Sequence, residues 1–293
     1  MDLSALVDFH LVVDAGSFSR ASRDTGRPKA TLSRRVRALE QSLGLRLLER
    51  GQHALHLTED GRALFERTRA LVREIEEVGQ SLVSGNTAPR GLLRISAPTL
   101  FATTFGGRIA AGFAKLHQQV QLELVGEDRR VDLVEDGYDI AIRVNPQPDS
   151  ELVGRCFARD RMWLVAAPGL LPPPPQADGS PASVAAVAML GLPRPAGWQV
   201  ERGGQRWQVA PDFRLRLSSL LMVREAVLAG AGAACLPSSI VRDAVDAGRL
   251  SVWNADIEDA VELWALHASR RLVSPKVAAF LQYLVTAFPE RRL

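Results

Sequence analysis

The chain has 293 residues, 46% of them hydrophobic, which is enough for two globular domains or one large one with a substantial core. Thirty-six basic residues against thirty-three acidic ones leave a net charge of only +3, which excludes a uniformly basic nucleic-acid coat and means that basicity must be judged by position. There is no basic segment ahead of an apolar stretch at the N-terminus and no membrane-length apolar run, and Cys156 and Cys235 are too few for a disulfide framework. A soluble cytoplasmic protein without membrane contact is expected.

Residues Asp2 to Ala15 place Leu3, Leu6, Phe9 and Val13 on one face of a helix. The stretch Ser17 to Gly44, S-F-S-R-A-S-R-D-T-G-R-P-K-A-T-L-S-R-R-V-R-A-L-E-Q-S-L-G, then reads as a helix-turn-helix. Ser17 is placed as an N-cap, the first helix stops at Thr25-Gly26, and the second restarts at Pro28, a residue tolerated in the first helical turn. In the second helix Leu32, Val36, Leu39 and Leu43 form an inward stripe. Opposite it, at about 100° per residue, stand Ala30, Arg34, Arg37 and Gln41, with Thr31 and Ser33 on the flanks. Small residues permit close approach to a major groove, and arginines can meet guanine edges or phosphates. Between Arg20 and Arg37 the only acid is Asp24, against Arg20, Arg23, Arg27, Lys29, Arg34, Arg35 and Arg37, so the local field is positive.

Two short strand-like pieces, Leu45 to Glu49 and Ala54 to Thr58, flank a Gly51-Gln52-His53 turn and predict a wing. The order of these parts, with G-S-F-S-R-A, S-R-R-V-R-A-L-E-x-x-L-G-x-R-L-L-E-R and L-T-E-D-G, resembles the LysR-type transcriptional regulators over roughly the first sixty residues. The resemblance implies contact with double-stranded DNA through Ser17, Lys29, Ala30, Thr31, Ser33, Arg34, Arg37, Arg50 and His53. Departures fall at Thr25, Arg27 and Pro28, where the family has Leu, Val and Ser or Thr, so that apolar packing and a side-chain cap are lost at the turn. Lys29 stands in place of the usual base-contacting Gln, and His53, Ala54 and His56 in place of common wing arginines.

From Glu59 to Val83 the chain reads as one helix in which Leu64, Thr68, Leu71, Ile75, Val78 and Leu82 alternate by four and three, the spacing of a coiled-coil seam. At 1.5 Å per residue it would span about 35 to 40 Å. In the family this helix pairs two subunits, so Leu64, Leu71, Ile75, Val78 and Leu82 are expected to line a homo-oligomer interface, in a dimer or tetramer. Ser84 to Pro89 reads as a hinge.

Beyond it, strands are predicted at Leu92 to Ser96, Val120 to Val125, Asp139 to Val144, Leu152 to Phe157 and Met162 to Ala167, with helices at Thr104 to His117 and Arg129 to Asp136. After the Pro172 to Pro175 connector come Phe213 to Leu217, helix Leu220 to Leu228, Ala231 to Leu236, helix Ser238 to Val245, Leu250 to Trp253, Val261 to His267 and helix Pro275 to Ala287. The segment from Leu170 to Gln208 has no clear pattern. Such alternation predicts an open α/β architecture of two lobes with a cleft. L-R-I-S-A-P-T-L, V-D-L-V-E-D-G-Y-D-I-A-I-R and A-V-L-A-G-A-G-A-A-C-L-P extend the resemblance to the family's effector domain, built like periplasmic solute-binding proteins. The expected division is a winged helix-turn-helix over 1–58, linker helix and hinge over 59–89, and an effector domain over 90–293.

Thr99 and Leu100 follow the first strand of that domain, Glu127 follows the second, Arg143 ends the third, and Ser218 with Ser219 opens a helix in the other lobe. Hydroxyl donors, a helix N-terminus and a guanidinium suit a small anionic effector such as a carboxylic acid, unless Arg143 is spent on Glu127. Gly230-Ala231-Gly232 follows a helix rather than opening one, unlike a dinucleotide loop. The five histidines make no metal pattern, the two cysteines read as small apolar residues within strands, and neither a Ser-His-Asp order nor paired carboxylates call for catalysis. The chain is therefore read as a DNA-binding regulator rather than an enzyme, with no cofactor or metal, and RNA polymerase is a partner that the resemblance implies. The competing reading is a solute-binding or enzymatic α/β protein with an incidental N-terminal helical extension.

Overall fold

The computed structural model describes residues 2–49, 55–84, 88–133, 135–147, 152–192, 194–268 and 273–293. Helices α1 (Leu3–Ala15), α2 (Phe18–Thr25) and α3 (Lys29–Leu43) bury Ala5, Leu6, Phe9, Val36 and Leu39 in one core and Val12, Ala21 and Leu32 in an adjoining one. The ends follow the chemistry of the caps. Asp2 accepts the N–H of Ser4, Ser17 accepts that of Arg20 at 3.1 Å, and α2 ends on Gly26 in a left-handed conformation with φ of 69°. Pro28 gives α3 no side-chain cap, so the carbonyl of Pro28 alone receives the N–H groups of Thr31 and Leu32.

Strands β1 (Leu48–Glu49) and β2 (His56–Leu57) pair antiparallel, Leu48 with Leu57 and Glu49 with His56, and form a wing shorter than the predicted pieces. Helix α4 (Glu59–Ser84) follows at once. The hydroxyl of Thr58 donates to Arg46 O at 2.6 Å and accepts the N–H of Gly61 at 3.0 Å, and a side chain at Gly61 would meet Leu47 O at 2.0 Å. The capping bond sets the spacing of three, and the close approach explains why the residue at that spacing is a glycine.

The remaining chain builds a six-stranded sheet, in which β10 (Ala234–Pro237), β6 (Val153–Ala166), β11 (Ser251–His267), β5 (Ile140–Val144), β3 (Gly91–Ala97) and β4 (Val120–Gly126) lie side by side in that order, and a three-stranded sheet in the order β7 (Ala182–Met189), β9 (Gln205–Leu217), β8 (Trp198–Arg202). Strands β3 (Gly91–Ala97), β4 (Val120–Gly126) and β5 (Ile140–Val144) run parallel, so their C-terminal ends share one edge. Between β3 and β4 the chain is helical throughout as α5 (Thr99–Phe101), a π turn (Ala102–Gly106) and α6 (Gly107–Leu116), beginning five residues earlier than the predicted Thr104. The core of this lobe gathers Leu93, Ile95, Phe101, Phe113, Ile140, Ile142, Phe157, Phe280 and Leu284. A second lobe packs Val187, Val223, Val227, Leu236, Ile240 and Val241 around α7 (Leu220–Leu228), β10 (Ala234–Pro237) and α8 (Ser238–Asp246). Helix α9 (Pro275–Ala287) returns to the first lobe.

Several expectations are corrected. Leu152 to Phe157 and Met162 to Ala167 belong to one strand, β6 (Val153–Ala166), and Leu250 to Trp253 and Val261 to His267 to another, β11 (Ser251–His267). The polar interruption Ala158 to Arg161 hides the continuity, because its charges are satisfied sideways. Arg159 binds Glu262 at 2.8 Å, while Asp160, buried, accepts the hydroxyls of Ser238 at 2.7 Å and Ser239 at 2.5 Å at the start of α8. The described residues from Arg129 to Asp136 form a turn, not a helix. The Asp136 carboxylate takes both Arg129 at 3.0 Å and the N–H of Asp132, and among the described residues of this stretch one helical-type bond closes, from Asp136 N–H to Asp132 O. The unpatterned segment contains β7 (Ala182–Met189), β8 (Trp198–Arg202) and the start of β9 (Gln205–Leu217).

Candidate DNA-binding face and effector cleft

On α3 the periodicity holds. Leu32, Val36 and Leu39 are buried, whereas Lys29, Ala30, Arg34, Arg37 and Gln41 are exposed and Thr31 and Ser33 half-buried on the flanks. Ser17 spends its oxygen on the cap of α2. Arg50 and His53 lie outside the described residues. Sequence reasoning missed two acids that organise this unit. Asp8 on α1, fully buried, binds Arg27 through Oδ1 and Arg35 at 3.1 Å through Oδ2. Glu40 on α3 accepts the N–H groups of Leu47 at 2.9 Å and Leu48 at 3.2 Å, tying the recognition helix to the wing. The clue for Asp8 was the unusual Arg27, a charge where the turn needs an inward side chain.

Helix α4 has two parts. Leu64 and Phe65 pack against the three-helix core, Val72 is buried in it, and the Thr68 hydroxyl donates to Leu64 O while accepting from His10 Nε2 at 2.7 Å. Leu64 and Thr68 thus pack in part on their own domain and stay half-buried there; a heptad stripe does not say which partner it meets. Leu71 and Ile75 are 50% and 48% exposed, an apolar pair with no cover of its own. The side chains of Val78 and Leu82 lie outside the described residues.

At the shared edge of β3, β4 and β5 stand Thr99, Glu127 and Arg143. The backbone brings them together, since Glu127 N–H binds Ala97 O and Ser96 registers with Ala141. Glu127 pairs with Arg129 at 2.6 Å rather than with Arg143. Burial pushes the Glu127 carboxyl up, but the side chains of Tyr138, Ser96 and Arg129 outweigh it and hold the group below the usual carboxylate range. Arg143 donates to Ser96 Oγ at 2.9 Å and to Ile142 O at 2.6 Å, and burial lowers its pKa. Two of its five N–H groups are used by those bonds. Thr99 is exposed, with its N–H bound to Asp128 at 3.0 Å. Leu100 packs with the core cluster of the second lobe, which also includes Leu217 and Leu220, the residues flanking Ser218 and Ser219. Ser219 caps α7 by accepting Met222 N–H at 3.2 Å, and Ser218 donates to the Met222 sulfur at 3.5 Å. Ser96, Tyr138 and Arg129 were not singled out from the sequence. Cys156 and Cys235 lie in β6 and β10 as expected but are half-buried, and burial raises the Cys156 thiol.

No helix among the described residues is long and apolar enough to cross a membrane. The family model for the bacterial regulatory helix-turn-helix protein of the lysR family matches residues 3–62, and that for the LysR substrate binding domain matches 86–289. An HTH-type transcriptional repressor of Pseudomonas aeruginosa is 32% identical, over 98% of this chain and 92% of its own. The regulator CrgA of Neisseria meningitidis is 29% identical over 96% and 95%. Among solved structures, full-length AphB, a virulence activator of Vibrio cholerae, superposes with a TM-score of 0.56 at 27% identity, covering 98% of this chain and 100% of that one. CrgA itself gives 0.56 at 26%, covering 98% and 99%. A solute-binding protein or enzyme with an incidental helical extension finds no support in these relatives. The chain is a DNA-binding, oligomeric transcriptional regulator with an effector-binding domain, and it belongs to the LysR family.

Proposed function

We propose that the cleft of this regulator senses a small anionic metabolite, held by Arg143 and by donors at Thr99 and Ser218, with Leu100, Glu127 and Ser219 shaping the site. The observation that carries this reading is Arg143 itself. It is a half-buried guanidinium at the C-terminal ends of the parallel strands β3, β4 and β5, hydrogen-bonded among the described residues only to neutral groups, while the nearby carboxylate of Glu127 is paired to Arg129. A cation placed so favours a bidentate carboxylate partner. In the same reading Ser17, Lys29, Ala30, Thr31, Ser33, Arg34, Arg37, Arg50 and His53 meet DNA, and Leu64, Leu71, Ile75, Val78 and Leu82 line the intersubunit seam. Residues 1–58, 59–89 and 90–293 act as head, linker and sensor. The protein works in the cytoplasm beside RNA polymerase and catalyses nothing.

Calorimetry on the full-length protein with carboxylates, amines and neutral compounds tests the sensor. Binding is expected among the carboxylates and is expected to weaken at least tenfold in Arg143→Ala, the loss of a charge-assisted pair worth about 1.5 to 3 kcal/mol. Binding confined to amines or neutral compounds, or anion binding untouched by the substitution, removes the assignment.

A further inference from the structure

Asp8 is fully buried on a helix whose other buried positions are largely apolar, and an ionised carboxylate in such surroundings persists only when paired. Each of its oxygens has one partner, Oδ1 with Arg27 in the turn before α3 and Oδ2 with Arg35 within α3. Arg35 is one residue beyond Arg34 but about 100° around the helix, toward the inward side of Leu32 and Val36. Its side chain is 43% exposed and that of Arg27 42%, whereas Arg34 and Arg37 belong to the exposed face.

We propose that Asp8 is a positioning residue for DNA recognition: its carboxylate draws Arg27 and Arg35 onto α1, sets α3 against that helix, and leaves Lys29, Arg34 and Arg37 as the recognition helix's charge toward DNA. Arginines that meet phosphates strengthen binding to every sequence alike. Withdrawing two of them lowers the sequence-independent part of the affinity and leaves the difference between sequences where it was, since a uniform contribution cancels in that difference. Asp8 thereby sets the strength and the salt dependence of DNA binding while touching no base.

The salt dependence of binding counts phosphate contacts, each one changing the slope of log K against log salt by about 0.9. It can be read by fluorescence anisotropy of the full-length protein on a duplex of scrambled sequence and on DNA from beside its own coding region. Arg27→Met and Arg35→Met are expected to keep the wild-type slope. Asp8→Asn, which preserves shape and removes charge, is expected to steepen the slope and to tighten binding to both duplexes several-fold. A purely structural Asp8 would reduce the folded fraction without altering the slope of what remains. If Asp8→Asn does not fold by circular dichroism, the triple variant D8L/R27M/R35M, which buries no charge, reads the same quantity. A slope flattened by about 0.9 in either single arginine variant, or by about twice that in the triple variant, overturns the proposal, as does a folded Asp8→Asn with unchanged slope.

Discussion

Lys29, exposed at the first position of α3, carries an ammonium that can donate and never accept. It therefore suits the O6 and N7 acceptors of guanine, where a glutamine would pair bidentately with adenine. Lys29→Gln is expected to shift preference at one position of each half-site by about 1 to 3 kcal/mol, measured by selection from a random DNA library. The same selected site for both proteins would make Lys29 a phosphate contact. A second residue, Arg129, sets a pH dependence. It binds Glu127 and Asp136, and both carboxyls lie below their ordinary values of 4.5 and 3.8. A carboxyl depressed by folding stabilises the native state while ionised, fully above its unfolded value, and that contribution disappears as pH falls through the folded value. Arg129→Gln should thus be less stable than wild type to urea at neutral pH, with the gap narrowing as pH drops below about 4. A gap that stays constant down to the acid transition would show that Arg129 acts through packing instead.

At the scale of elements, α4 joins two tasks along one helix. Phe65, Thr68 and Val72 lie on the three-helix core, while Leu71 and Ile75, on another side of the same helix, present apolar surface outward. Ile75→Asp is expected to put an unpaired charge into an apolar seam, at a cost of several kcal/mol of association. Light scattering should return a smaller particle than wild type, and an unchanged mass would remove Ile75 from the interface. Elements closed by their own sequence were legible: α7 and α9 match their predicted bounds because Ser219 and Pro275 open them on an apolar period. Strand β6 was split because the alternation breaks at Ala158 to Arg161, where distant partners, Glu262 and the start of α8, satisfy the charges, and β11 because the polar run N-A-D-I-E-D-A at 254–260 coincides with its register shifts against β6. Asp132 and Asp136 defeated the helix expected at Arg129 to Asp136 by offering its backbone nearer acceptors. In the candidate cleft Arg143 was visible as a strand-end charge, whereas Tyr138 and Arg129 reach Glu127 through folding alone.

For the whole molecule, the decisive feature is the pair β6 and β11, which pass from one lobe into the other while bonded to each other. Near the first lobe Val261 faces Asp160, and near the second Val252 faces Val165, so nine steps along β11 run beside five along β6. The surplus is taken up in three register shifts, all between Val252 and Val261. A bulged strand bends and twists more readily than its regular partner. The joint between the lobes thus pairs a strand that keeps its register with one that carries the slack, and the extra residues between Val252 and Val261 set the bend and twist at which one lobe meets the other.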